Sequence, residues 1–508
     1  MVCQDSVVGR GVRTGWLAIF AVAAIVAASP AAAAGAGERG RRAERLIDCR
    51  HAAERVTVTV SSRLDGGCTY TGGFDITASN VTLDCRGALV LGSPADSGSG
   101  VAVSVAATAD LEDVTIRNCR IQGFEHGIDL ARNTPSQLAP GHEYDHHLRH
   151  VVIEHDHISG ARGVGVYVHP YVTETTIRHD VVTGSGSTAV YLDEGSRGAH
   201  IEGDVIAGNG SIENGPGGAN TDFGGVTIRY WGPGREGIAL DGSRGNVIRG
   251  NWIVGNSAGG VFLYTNCGEN VHNDPVDWLD HRFDARDNVV SDNVISGSGT
   301  GVWVGSRMGE NVYPMDCSDV PYVSGPLRSI TLDRAPHNTV QGNVIVGADF
   351  GVRVEDDHTT VTGNRFVAPS AADYGVVVGT PYRTNVLHEP VSDTVVARNV
   401  SSIAGNPSPY RWVDGVAGLR DDRNLASGHL SPFCRAPDVP RGPFVMVYAF
   451  ALQDPSQPPV PAPAYKVPSL GVLPACGSRE VDSSPATGRP RTCTSSPMCT
   501  APTTRVAS

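Results

Sequence analysis

One line of this sequence keeps returning. Thr176–Val182 (TIRHDVV) reappears as Val247–Ile253 (VIRGNWI), Val289–Ile295 (VVSDNVI), Thr339–Ile345 (TVQGNVI) and Thr360–Phe366 (TVTGNRF). Each copy is followed by a small Gly-rich turn and a second apolar stretch: AVYLDEG from Ala189, GIALDGS from Gly237, GVFLYTN from Gly260, GVWVGSR from Gly301 and GVRVEDD from Gly351. A unit that recurs in this way cannot bury its apolar face alone; it must stack on its neighbours, which makes the chain a solenoid.

The period selects the kind of solenoid. Ile153, Ile177 and Ile201 are spaced by 24 and 24 residues, and Val340 to Val361 by 21. β-Branched residues alternate with polar ones, which is strand periodicity. Short strands, turns rich in Gly and Asn, and a coil of this length predict an all-β chain: a right-handed parallel β-helix with loop insertions and terminal caps. The longer gaps, Ile201 to Ile248 and Val290 to Val340, read as one coil plus an insertion, although the insertion at 209–235 is long enough to hold a coil of its own.

Alternation sorts each repeat into core and surface. Ile153, Ile177, Ile201, Ile248, Val290, Val340 and Val361 form one inward column, and Ile158, Val182, Ile206, Ile253, Ile295, Ile345 and Phe366 a second. Between them stands a polar column, Asp156, Asp180, Asp204, Asn251, Asn293, Asn343 and Asn364. Asn and Asp bond neighbouring backbone in turns, so this column predicts a structural ladder rather than a metal array.

The outward positions of the second apolar stretch carry the chemistry. One row reads Tyr167, Tyr191, Ala239, Phe262, Trp303, Arg353, and beside it runs His169, Asp193, Asp241, Tyr264, Gly305, Glu355. Aromatic rings in line offer stacking surfaces for sugars. His169, Asp193, Asp241, Tyr167 and Tyr191 are the candidate catalytic groups. If Asp193 and Asp241 are adjacent, they share a proton or hold a cation such as calcium between them. Phe262, Tyr264, Trp303, Arg353, Glu355 and Trp231 are candidate substrate contacts. Arg197 and Arg244, a few residues beyond the two aspartates, can grip a carboxylate or sulfate; the alternative for them is surface pairing with nearby acids. The histidines and acids at 142–157 match no compact metal motif and read more simply as a polar loop.

The ends are of different character. Arg10 and Arg13 precede an apolar run from Trp16 to Ala28, which reads as a signal peptide over 1–34. Residues 35–75 are expected to cap the solenoid, 76–400 to form it, 401–476 to close it, and 477–508 to be a disordered tail. Ten cysteines lie beyond Cys3, an even number suited to an oxidising compartment, so the chain is expected outside the cytoplasm, in the periplasm, at the cell surface or secreted. Cys49 with Cys68, Cys85 with Cys119, Cys267 with Cys317, Cys434 with Cys476 and Cys493 with Cys499 are possible bridges. The net charge of −13 argues against a nucleic-acid partner, and no segment after the leader is suited to span a membrane. Lys466 is the sole lysine, so basic chemistry in the repeats must come from Arg, His, Tyr or carboxylates.

With their N-x-I turn and G-I-x-L strand, the repeats from Val81 to Val400 resemble the right-handed parallel β-helix proteins of the pectate-lyase-like superfamily. That resemblance implies polysaccharide chemistry, since lyases, hydrolases, esterases and uronate epimerases dominate the group. The Asp motifs of polygalacturonases are missing, and so is the pectin methylesterase signature. Mannuronan C5-epimerases carry an Asp-Pro-His core; the nearest match is Tyr167-Val168-His169-Pro170, with Asp193 one coil on, and the Asp before the Pro is lacking.

Three functions remain open at this point. The first is a lyase or C5-epimerase of a uronate polysaccharide, with His169 as base, Tyr167 or Tyr191 as acid, and Arg197, Arg244 or a cation neutralising the sugar carboxylate. The second is a glycoside hydrolase built on Asp193 and Asp241, with Asp129, Glu194 and Glu355 as further carboxylates. The third is a glycan-binding surface protein without catalysis.

Overall fold

The computed structural model describes residues 44–427, except 94–97, 134–137, 139–140, 212–219, 224–225, 230–233, 266–282, 298, 306–333, 371–372, 381–382 and 385–387; over 220–229 and 451–452 it describes the backbone. Among these residues, three parallel sheets of 13, 12 and 12 strands run side by side. Each coil gives one strand to each sheet. Leu148–Glu154 lies in the first, His157–Ser159 in the second and Val166–Val168 in the third, before the chain re-enters the first at Thr176–Arg178. The molecule is a right-handed parallel β-helix. Its sheets are named 1, 2 and 3 in that order.

The two apolar columns fall in register as their spacing predicts. Ile153, Ile177, Ile201, Ile248, Val290, Val340 and Val361 are successive partners in sheet 1. Ile158, Val182, Ile206, Ile253, Ile295, Ile345 and Phe366 are successive partners in sheet 2. All are buried in one continuous core, so each coil seals the apolar edge of the one before.

The polar column is the predicted ladder. The Oδ1 of Asn251, Asn293, Asn343 and Asn364 accepts the backbone N–H of the equivalent residue one coil earlier at 2.9–3.0 Å. The Nδ2 of Asn251, Asn293 and Asn343 donates onward to the next ladder Oδ1, and to a backbone carbonyl inside the coil. Asp156, Asp180 and Asp204 take the same place, and their Oδ1 atoms accept from Cys119, Asp156 and Asp180 N–H at 2.6–2.7 Å. Their Oδ2 atoms are buried and have no hydrogen-bond partner among the described residues. Burial drives all three carboxyls up, to about 8, about 9 and about 7 respectively, against the opposing pull of the backbone N–H bonds. A neutral acid suits a position where its neighbours place an amide.

The ladders extend past the expected boundaries. Residues expected as an N-terminal cap already supply strands to all three sheets, beginning with Arg45–Ile47, Val56–Val58 and Thr69–Tyr70. At the other end Tyr410–Trp412, Arg420–Asp422 and Leu425–Ser427 still pair. The insertion at 209–235 adds no coil. Val190–Leu192 pairs directly with Glu236–Asp241, and His200–Glu202 with Val247–Arg249. The backbone of 220–223 and 226–229 instead forms an antiparallel ribbon joined by Ala451–Leu452.

Cys49–Cys68 and Cys85–Cys119 are disulfides, as their spacing allowed. The other expected bridges, the signal peptide and the tail lie outside the described residues. No helix among the described residues is long and apolar enough to cross a membrane.

Candidate active site on the outer face of sheet 3

Sheet 3 aligns the outward residues as the sequence rows predict. Tyr167, Tyr191, Ala239, Phe262, Trp303 and Arg353 are successive partners. Asp129 precedes Tyr167 in the same row. Since Leu192 pairs with Leu240, Asp193 and Asp241 follow on adjacent coils.

Neighbouring coils exchange hydrogen bonds along this face. The Tyr167 hydroxyl donates to Asp193 Oδ2 at 2.7 Å, and the Tyr191 hydroxyl donates to Asp241 Oδ2. The Asp193 Oδ1 accepts its neighbour's N–H, from Glu194, at 2.8 Å. Each aspartate thus accepts a hydrogen bond from a tyrosine hydroxyl of the preceding coil. Asp193 is 8% exposed and Asp241 1%. Among the described residues, the only group of three or more metal-ligating side chains within 4.8 Å is Cys49, Asp65 and Cys68, whose sulfurs are joined in a disulfide. Asp193 and Asp241 belong to no such group.

The groups able to move protons gather at the N-terminal part of the face. The Tyr167 and His169 rings stack with centroids 3.9 Å apart. The His169 Nε2 lies 2.7 Å from Asp129 Oδ1, and Asp129 Oδ2 accepts the Ser99 hydroxyl at 3.1 Å. His126 meets the Tyr167 ring edge-on at 5.4 Å, as Tyr191 does from the other side. His126, Asp129, Tyr167, His169 and Tyr191 are half-buried, so solvent reaches the cluster.

Its electrostatics divide the roles. Burial alone would lower the His169 pKa, but contact with Asp129 and the charge of Asp193 outweigh it and hold His169 above the ordinary histidine value. Burial would raise Asp129, yet His169 and Ser99 bring it below the carboxylate range. Burial, joined by the charge of and hydrogen bond to Asp193, lifts Tyr167 well above an ordinary phenol. Burial lowers His126 despite the nearby Asp129 charge. Its Nδ1 accepts the Val164 N–H at 3.3 Å, which places the proton of the neutral ring on Nε2.

Five of the expected sugar contacts are built differently. Phe262, Tyr264 and Trp303 are 1%, 0% and 2% exposed and pack with Ala239 and Ala258 into a second apolar cluster outside the coil. A Cβ on Gly259 would meet Phe262 at 2.2 Å, and one on Gly305 would meet Trp303 at 2.0 Å, so these glycines give the rings room to lie down. The Tyr264 hydroxyl donates to Glu236 at 2.8 Å and accepts from Arg235 at 3.1 Å. Trp303 Nε1 donates to Glu355 at 3.0 Å, and Arg353 pairs with the same carboxylate. Glu355 is 4% exposed. Strand alternation correctly turned these side chains away from the coil interior, but outward is not the same as solvent-facing. Trp231 lies outside the described residues.

Arg197 and Arg244 do not join the His169 cluster. They stand where each coil turns from sheet 3 back to sheet 1, bridged to one another through their backbones. The histidines and acids near 142–150 form separate pairs, His142 with Asp145, His147 with Asp110 and Glu112, and His150 with Glu174.

Asp129 and His126 are the members that the repeat reading left aside: Asp129 as a spare carboxylate, His126 unnoticed. The signal was present in Gly127-Ile128-Asp129-Leu130, which repeats the Gly-apolar-polar-apolar pattern of Gly165-Val166-Tyr167-Val168. The intervening polar insertion hid the alignment.

Residues 99–277 match the family model described as right-handed beta helix region. No curated protein matches the chain. Among solved structures, it is similar to the mannuronan C-5 epimerase AlgE4 A-module of Azotobacter vinelandii, at 12% identity and a TM-score of 0.41 over 74% of this chain and 89% of that one. The periplasmic alginate epimerase AlgG shares 13% identity with a TM-score of 0.44 over 75% and 74%. A tailspike protein of the E. coli bacteriophage HK620 shares 14% with a TM-score of 0.45 over 73% and 60%. At these identities the likeness concerns the fold alone.

Proposed function

We propose that this protein is a polysaccharide lyase acting on uronate-containing glycans, with His169 as base and Tyr167 as acid. The observation that carries this reading is the stack of Tyr167 on His169 at 3.9 Å, on one face of one sheet. Two proton carriers on the same side of a sugar suit a syn β-elimination. His169 removes the proton at C5, alpha to the carboxylate. The C5–H electrons become the C4–C5 double bond, the C4–O4 bond breaks, and Tyr167 gives its proton to the departing O4. The Asp129 carboxylate, 2.7 Å from the imidazole Nε2, stabilises its cationic form, as the third group does in catalytic triads. The high pKa of Tyr167 keeps its proton in place until the leaving oxygen demands it. The neutral Nε2–H of His126 serves as donor to the substrate carboxylate.

Epimerisation shares the first step but returns the proton to the opposite face of the ring, whereas the stack of Tyr167 on His169 puts both proton carriers on one side. A hydrolase built on Asp193 and Asp241 is less suited, because both carboxylates are buried and receive tyrosine hydroxyls. The two disulfides fit an extracytoplasmic site of action.

The test is incubation with a panel of uronate polysaccharides, followed by ultraviolet absorbance and mass spectrometry, with hydrogen exchange at C5 read by NMR in deuterated water. Unsaturated ends that vanish in His169→Ala and Tyr167→Phe support the lyase. C5 exchange without unsaturation identifies an epimerase, and fragments that gain one water identify a hydrolase. Inert products throughout, with retained glycan affinity, would leave a binding protein.

A further inference from the structure

We propose that a concavity lined by Arg197 and Arg244 is an anion subsite that takes the carboxylate or sulfate of an acidic sugar unit. Its volume is about 420 Å³, and Tyr144, Thr173, Glu174, Arg149 and Asp287 complete its wall together with glycines and His147. As the subsite of a uronate polymer it rests on the lyase reading; as an anion site it stands alone.

Three observations carry it. First, the two guanidiniums are stacked rather than paired. The Arg197 guanidinium carbon lies 3.7 Å from the Tyr144 ring centroid, and that of Arg244 lies 4.8 Å from the Phe283 centroid. Neither has a carboxylate within 4.0 Å among the described residues. Stacking occupies the flat face of a guanidinium and leaves its edge N–H groups to bind an anion.

Second, the platform is rigid. Tyr144, Tyr171 and Phe283 meet edge-to-face at 5.8–6.1 Å, and the Tyr144 hydroxyl donates to the Gly195 carbonyl at 2.6 Å. Tyr171 is 4% exposed. Arg197 and Arg244 sit on successive coils through a backbone bridge, so their backbones lie about one strand spacing apart, ~5 Å. Both side chains line the same concavity, and guanidiniums grip the oxygens of a carboxylate or sulfate with two-pronged geometry.

Third, the other charges in the concavity are already committed. Arg149 Nη2 is 2.6 Å from Glu112, Glu174 is 2.8 Å from His150, and Asp287 is 3.9 Å from Arg286. Arg197 and Arg244 are thus the cations lining the space that make no ion pair within 4.0 Å among the described residues. Thr173 follows His169 by four residues, at most about 14 Å of chain. That reach is the most that separates this wall residue from the Tyr167–His169 stack.

The experiment is calorimetric titration of the whole protein with three probes: a uronate hexasaccharide, a sulfated oligosaccharide without carboxylates, and a neutral glucan oligosaccharide. The Arg197→Gln/Arg244→Gln double variant is compared with wild type, with Arg197→Lys/Arg244→Lys, and with His169→Ala. We expect the Gln variant to lose about tenfold affinity or more for the acidic probe that fits, with no change for the glucan. The Lys variant should recover part of the loss, and His169→Ala should bind as wild type. Preference for the hexuronate over the sulfated probe names the carboxylate as ligand, and the reverse names sulfate. Unchanged acidic-probe affinity in a Gln variant that melts like wild type would overturn the subsite. If wild type cleaves nothing but the Gln variant still loses acidic-probe affinity, the lyase reading fails and the anion site survives.

Discussion

The imidazole of His169 reaches back one coil to Asp129, with Nε2 2.7 Å from Oδ1, so the proposed base and the carboxylate beside it come from consecutive turns of the same helix. The contact raises the His169 pKa and lowers that of Asp129. A base must be neutral to accept a proton, so activity should fall as pH drops through the raised His169 pKa. The alkaline limb should lie beyond the ordinary tyrosine range, because Tyr167 is lifted. In Asp129→Asn the acidic limb should move to lower pH, and kcat should drop by about 10²–10⁴. The pH profile of kcat/KM, with the His169 titration followed by NMR, checks both.

Tyr167→Phe keeps the ring on His169 and removes only the proton. Its kcat should fall by about 10²-fold or more while the dissociation constant for a uronate oligosaccharide stays within about threefold. Equal losses in both would assign Tyr167 to binding.

Trp303→Ala separates the buried cluster from a sugar platform. If the ring supports the fold, as its 2% exposure indicates, the variant should lose about 3–5 kcal/mol of stability, by analogy with other buried Trp truncations. Affinity for oligosaccharides should be unchanged in the cold, where the variant remains folded. Scanning calorimetry and titration read the two quantities independently.

The aspartate rungs make stability depend on pH in an unusual direction. Asp156, Asp180 and Asp204 have native pKa values far above that of a free carboxyl, so the folded state binds protons more tightly than the unfolded one. Their stabilising contribution is complete below about pH 4 and is lost as pH rises through about 7 to 9. Asp180→Asn supplies the amide that the ladder uses elsewhere. It should raise stability in mildly alkaline buffer, and the melting temperature with it, by about 1 kcal/mol for the added hydrogen bond together with relief of the ionisation penalty, and much less in acid. A melting series across pH would expose a flat response if the rungs do not titrate.

The coil was legible because burial in a solenoid obeys a period. Ile153, Ile177 and Ile201 announce their column by spacing, and the Asn column announces its turn by residue type. The site was half legible. Tyr167, His169, Asp193 and Tyr191 follow from strand alternation, and the adjacency of Asp193 and Asp241 holds. What alternation cannot report is what lies over the outer face. Phe262, Tyr264 and Trp303 point outward and are nevertheless buried. Nor can it fix which hydroxyl goes to which carboxylate, since that depends on side-chain reach across coils, as from Tyr167 to Asp193. Arg197 and Arg244 were found by type but assigned to the wrong neighbourhood, because the turn after Asp193 carries them around a corner.

The excursion at 209–235 leaves the coil after Val205–Ala207 and rejoins it at Glu236–Asp241 with every ladder still in step. Position along the axis is therefore counted in turns, not in residues. A loop closed by such a frame grows at little entropic cost, because closure rises only with the logarithm of length. Evolution, or an engineer, can thus exchange the excursion as one swaps a tool on a lathe: the spacing between the proton-transfer cluster and the arginine fork stays set by the bed of the machine.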